Sequence, residues 1–156
     1  MIKPLWIFLM VMSGISAGQY EVRVHGVKLG EIDTLKTLEE YYLKAEATNF
    51  ITRLLLGHDY FVLYSEEKPD IDDAKFKKDN NMMLYAFKEA IDNKPKKKTF
   101  QNNRSRELKI ECAATQCDFV YTYKKELRGE GFVKFNEKGE FMIFREEVGA
   151  IEIARI

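Results

Sequence analysis

The chain has only two histidines and two cysteines, the usual zinc ligands besides carboxylates. His25 and His58 lie in distant segments, each without a second ligand at metal-binding spacing, so a zinc site has too few donors. No charge of one sign dominates either: 25 basic side chains stand against 25 acidic ones across 156 residues. That balance excludes a general attraction to nucleic acid or to an anionic membrane. A P-loop, a Gly-rich dinucleotide fingerprint, a G-x-S-x-G elbow and an H-E-x-x-H pair are all missing. His58-Asp59 pairs a base with a carboxylate in sequence, but neighbours on a strand point to opposite faces. Carboxylates abound, yet no spacing pairs two of them in a cleft. The expectation is a non-enzyme with neither metal nor cofactor. Internal repeats and low-complexity linkers are also absent, and only one long apolar run occurs.

That run opens the chain. Lys3 precedes an apolar stretch from Leu5 to Met12, and Ser13, Gly14, Ser16, Ala17 and Gly18 follow. A charged start, a short apolar middle and a small-residue zone are the layout of a secretory signal peptide. Cleavage after Gly18 or after Ser16 fits, and the run falls short of the ~20 residues a bilayer span requires. The single tryptophan, Trp6, leaves with the signal, and no cysteine in the cleavage zone offers a lipid attachment point. The expected division is a signal over 1–18 and one domain over 19–156, about 138 residues, enough to bury a core. The expected location is periplasmic or secreted, with no stable membrane anchor.

Export bears on the cysteines. Cys112 and Cys117 flank Ala113-Ala114-Thr115-Gln116, and in an oxidising compartment a pair is read first as a disulfide. A free structural pair, or a redox or metal role, are the alternatives; redox centres usually show the tighter C-x-x-C spacing. The flanks LKIEC (Leu108–Cys112) and CDFVYTY (Cys117–Tyr123) read as strands, with AATQ as a four-residue turn. A bridge across so short a loop is worth about 2 kcal/mol and pins strand register.

The rest reads mainly as strands. Tyr20–His25 alternates with period two, as does Tyr41–Thr48, and a further strand runs roughly over Glu31–Leu38. Asn49 opens a short capped helix that ends at Gly57. Asp59–Ser65 is apolar on both faces and predicts a buried strand. After a charged stretch over Glu66–Asp79, Asn80 or Asn81 caps a helix to about Asp92. Its apolar stripe is Met83, Phe87, Ala90 and Ile91, a core face or a ligand lid. Lys94 to Lys98 reads as a solvated loop or as a small anion or membrane-surface contact, which the acidic stretch upstream disfavours. Gly131–Phe135 and Glu140–Glu146 flank a turn whose Gly139 supplies a positive φ. Ala150–Arg155 is a last strand. Eight or nine antiparallel strands with one or two short helices predict a mainly β domain, and closure into a barrel removes exposed edges.

The opening YEVRVHGVKLGEIDTL carries a Tyr-x-Val and then a Gly-x-x-x-Gly-Glu layout. LKAEATNFITRLLLGHDYFVLYSEE follows, a strand with alternating alanines, a short helix and an Asp-aromatic strand. Over about residues 20 to 70 this resembles a family of secreted, uncharacterised bacterial proteins with lipocalin-like barrels; the lipocalin Gly-x-Trp signature is absent. The resemblance implies a small exported calycin-type barrel that binds an apolar small molecule.

Aromatic content suits such a cavity: eight tyrosines and eleven phenylalanines. The candidate lining is Tyr41, Leu43, Phe61, Phe119, Tyr121, Tyr123, Val133 and Phe135. Phe119, Tyr121 and Tyr123 share one strand face, opposite Asp118, Val120, Thr122 and Lys124. Small barrels either fill with side chains or hold one ligand. Two functions follow: a carrier of an apolar or amphipathic small molecule, or a ligand-free protein-interaction module acting through its loops.

Overall fold

The computed structural model describes residues 19–35, 43–63, 79–102 and 105–156. The expected signal peptide, residues 36–38 of the expected second strand, Tyr41 and the charged stretch before Asp79 lie outside these residues. The first four strands are β1 (Tyr20–Val24), β2 (Val27–Ile32), β3 (Leu43–Ala47) and β4 (Tyr60–Leu63). Two helices, α1 (Phe50–Leu56) and α2 (Asp79–Asp92), flank β4. Six strands follow: β5 (Lys98–Asn102), β6 (Arg106–Ala113), β7 (Gln116–Tyr123), β8 (Glu126–Phe135), β9 (Phe141–Glu146) and β10 (Ile151–Arg155).

All ten strands form one antiparallel sheet in the order β4-β3-β2-β1-β10-β9-β8-β7-β6-β5. Local turn chemistry explains most of it. His25 and Gly26 both take positive φ, the two-residue turn whose twist suits a hairpin, and this starts β2 at Val27, earlier than the expected Glu31. Lys124 and Lys125 do the same between β7 and β8. Gly139 supplies the expected positive φ before β9. The cysteine hairpin is tighter than expected: Ala113 pairs with Gln116, leaving only Ala114-Thr115 in the turn, with Ala114 left-handed.

β1 sits mid-sheet. The chain runs from it to the β4 edge, crosses through α2 to the β5 edge, and returns strand by strand until β10 pairs with β1. Among the described residues no ladder joins β4 to β5, so the sheet is open. Two glycines let neighbouring strands approach closely. A Cβ on Gly30 would run into the Glu46 carbonyl oxygen, and one on Gly131 into the Arg145 carbonyl oxygen.

The core lies between the sheet and α2, which packs on β6, β7, β8 and β9. The helix is apolar on more than the expected single stripe. Every residue from Met82 to Phe87 is buried, and Ala90 too, whereas Ile91 is half-buried. A helix apolar all round is an enclosed one. The Phe87 ring stacks on Phe144 of β9 with 4.5 Å between centroids, and Phe144 stacks in turn on Phe119 of β7 at 5.7 Å. β4 departs from expectation in the other direction. As an edge strand it leaves Tyr60 and Val62 exposed and only half-buries Phe61 and Leu63.

Candidate functional site

Cys112 and Cys117 face each other across the β6–β7 hairpin and are bonded, with 3.9 Å between their Cα atoms. Cys117 is buried and joins the core, so the bridge ties the hairpin end to the packed interior. The two histidines stand apart from it. His25 forms the β1–β2 turn, and His58 lies against the Tyr60 ring. Asp59 turns instead to Arg53, at 3.8 Å. Among the described residues no group of three or more His, Cys, Asp or Glu side chains could hold a metal ion.

The expected cavity lining divides. Tyr41 lies outside the described residues. Leu43, Phe119, Tyr121, Val133 and Phe135 are buried core side chains, and Phe61 packs partly against them. Tyr123 leaves the group. The β7–β8 register shifts between Tyr121 and Thr122, and Tyr123 ends half-buried with Arg106 4.9 Å and Arg128 5.7 Å from its ring centre. Its alternation with Phe119 and Tyr121 along β7 is unbroken, and it is half-buried because it ends the strand.

These inward side chains do not face an open space. Phe119 meets Phe144, which meets Phe87 of the helix, and Met83 fills the room left by the missing side chain of Gly129. Glu89 on α2 is buried, and Lys98 of β5 donates to it at 2.6 Å while the Tyr85 hydroxyl lies 3.4 Å away. A buried carboxylate is tolerable only with such partners, and removing one of them would leave it uncompensated. A second buried carboxylate, Glu146, accepts from the Val148 and Gly149 N–H groups and so closes the β9–β10 turn. Burial holds its carboxyl above the ordinary carboxylate range, against the pull of those two donors. Helix α2 thus packs against the inward side chains of the sheet.

The surface at α1 is of another kind. Asn49 caps the helix, its Oδ1 accepting from Thr52 N–H at 2.6 Å and its Nδ2 donating to the Lys28 carbonyl at 3.0 Å. Arg53 Nε donates to the Ala47 carbonyl at 2.9 Å, and Gly57 ends the helix in the left-handed conformation. The polar residues Asn49, Thr52 and Arg53 therefore face the protein. At 100° per residue, Phe50, Leu54, Ile51 and Leu55 fall together on the opposite side. They are 77%, 69%, 68% and 80% exposed. The usual amphipathic arrangement is inverted, with the apolar face in water. An open concavity of about 450 Å³ lined by Arg53, Leu54, Gly57, His58, Asp59 and Tyr60 joins this face to β4. Exposed Tyr60 and Val62 extend the apolar surface along the outside of that strand. The sequence signal is present in NFITRLLLG: a capped two-turn helix whose polar residues sit on one side and whose apolar ones sit on the other.

The chain matches no family model, no curated protein and no solved structure.

Proposed function

We propose that the protein is an exported, lipocalin-like binding module whose own helix α2 fills the inside of the sheet, and whose partner binds outside, on α1 and β4. It acts by binding and not by catalysis, with neither metal nor cofactor. The observation that carries this reading is the contrast between the two helices: α2 is enclosed on most sides, whereas α1 turns its apolar face to solvent. Contiguous apolar surface of this kind marks binding sites for proteins or membranes. The Cys112–Cys117 bridge supports a periplasmic or secreted location. Among the described residues no helix is long and apolar enough to cross a membrane, in keeping with that location. The sheet is read as a barrel opened between β4 and β5, with α2 packed on β6 to β9.

A carrier of an apolar or amphipathic small molecule is the second reading. What favours it is that α2 belongs to a single connection between the two sheet edges. Its departure would open a trough lined by Leu43, Phe119, Tyr121, Val133 and Phe135. The two readings separate in one experiment. A photoreactive residue is placed at Leu55, and at exposed Val120 on the outside of β7 as a control, and crosslinking is carried out in the exported fraction. In parallel, the purified protein is titrated with fatty-acid-like probes of several chain lengths. Products at position 55 alone, with no saturable probe uptake, are expected. Saturable uptake that Tyr121→Trp abolishes, with equal crosslinking at both positions, would replace this reading with the carrier.

A further inference from the structure

We infer that the occupant of the α1–β4 surface is a second copy of the same chain, joined across a two-fold axis at the β4 edge; this rests on the surface reading above. Two observations meet there. The first is area. Phe50, Ile51, Leu54 and Leu55 on α1, with Tyr60 and Val62 on β4, are all exposed. Together they present roughly 600–700 Å² per copy, against the ~300–600 Å² of the largest patch on a typical monomer and the ~600–1,000 Å² per partner of a standard interface. The patch is large for a protein that stays alone and large enough for a stable pair.

The second observation chooses among occupants. Ala47 N–H donates to the Asp59 carbonyl, and the β3–β4 register pairs Ala45 with Phe61 and Leu43 with Leu63. Main-chain groups alternate along an antiparallel ladder, so residues 59, 61 and 63 bond inward to β3. Tyr60 and Val62 therefore point their N–H and C=O groups outward, at an edge unpaired among the described residues. A hydrocarbon layer would satisfy the α1 side chains but strand these groups without partners, at several kcal/mol each. Another β4 satisfies both. A two-fold axis through Phe61 sets Tyr60 of one copy opposite Val62 of the other, and each pair exchanges both of its main-chain hydrogen bonds. The joint is isologous, the arrangement of most homodimers.

The test is sedimentation equilibrium of the exported chain over ~1–100 µM, with Leu54→Asp and Val62→Lys as variants. Both residues are exposed, so the fold survives; far-UV circular dichroism and an unchanged melting temperature of the monomer check that it does. A concentration-dependent dimer is expected, weakened ~100-fold or more by Leu54→Asp and at least about tenfold by Val62→Lys, since a charge on each copy enters the joint twice. A monomer throughout the range overturns the dimer. If that monomer floats with vesicles of phosphatidylethanolamine and phosphatidylglycerol and Leu54→Asp abolishes the flotation, the surface binds membrane and the surface reading stands. If it neither pairs nor floats, and crosslinking at position 55 in the exported fraction yields no product, both readings fall.

Discussion

Replacing Phe87 by alanine tests whether the inside of the sheet is a filled core or a seat for a ligand. Phe87 is fully buried on α2, stacked on Phe144 and in contact with Phe141, whose centroid is 5.1 Å away. Deleting a core phenylalanine costs about 3–5 kcal/mol, partly lost transfer energy and partly the cavity left behind. The two ring partners place this site toward the upper part of that range, about 4 kcal/mol. A domain of this size has of the order of 5–15 kcal/mol in total, so the variant folds but loses a large part of its margin. With a urea slope of ~1–3 kcal/mol/M, the midpoint should fall by about 2 M. The assay is urea unfolding followed by far-UV circular dichroism, for α2 and the sheet, and by near-UV signal from the aromatic stack. Both should move together, because the Phe119–Phe144–Phe87 stack links helix to sheet. If α2 were a detachable lid, the sheet would keep its own contacts. A loss under about 1 kcal/mol, or a helix signal that melts well before the sheet, would refute the core reading and return the trough to a ligand.

Replacing Cys112 and Cys117 together by serine should lower stability by about 1–2 kcal/mol with the fold retained, since a short loop gives up little chain entropy on closure; intact mass before and after reduction and alkylation reports the bridge itself. Gly131→Ala should cost about 3 kcal/mol or prevent folding, read from the yield of folded protein and its urea midpoint. The new Cβ meets the Arg145 carbonyl oxygen and lies 2.8 Å from the Phe119 ring, and neither can yield cheaply. Glu146 carries a pH signature. Its folded pKa is raised by burial, so its favourable contribution is full below the unfolded carboxylate pKa and is lost as pH rises through the folded value. Glu146→Gln removes that loss, so the stability of the variant relative to the parent should improve from acid to neutral pH; a difference that stays flat between pH 3 and about 8 would contradict the assignment.

Much of the fold is legible in local patterns. β3 alternates cleanly because Leu43, Ala45 and Ala47 face the core while Lys44 and Glu46 face water. The α1 cap at Asn49 and its stop at Gly57 are readable from residue type alone. What escapes depends on non-local geometry. The Ala114-Thr115 turn needs the actual register, since both a four-residue and a two-residue loop bring the cysteines opposite each other. The apolar outward positions of β4 read as burial, a fair inference for a central strand; among the described residues β4 has a ladder neighbour only in β3. For α2, the charged residues Lys88 and Glu89 suggest one wet side. Lys88 is paired with Asp92, and Glu89 is buried against Lys98, so the helix is more enclosed than its composition implies. Among the eight expected lining residues, Leu43, Phe119, Tyr121, Val133 and Phe135 share one core, but a list of inward residues does not say what fills the space between them.

The two helices answer one packing problem from opposite sides. An open sheet with an apolar face has that face to cover, and two edges that the chain must join. The connection from β4 to β5 does both when it lays α2 on that face, which explains why a helix with charged residues at 88 and 89 can still bury Met82 through Phe87. Once that face is covered, α1 has nowhere inward to place its apolar side chains. Its polar residues are already committed to the protein: Asn49 to the Lys28 carbonyl, Arg53 to the Ala47 carbonyl. Turning α1 over to hide Phe50, Ile51, Leu54 and Leu55 would break those bonds and leave the main-chain acceptors without partners, a cost of about 1–3 kcal/mol for each group that stays buried. The exposed face is thus held in place by hydrogen bonds and is not a side chain cluster that happens to have strayed into solvent. An apolar face so held, beside a strand edge unpaired among the described residues, favours a partner that brings both apolar surface and main-chain hydrogen-bonding groups, because little ordering entropy remains to be lost on its side of the contact.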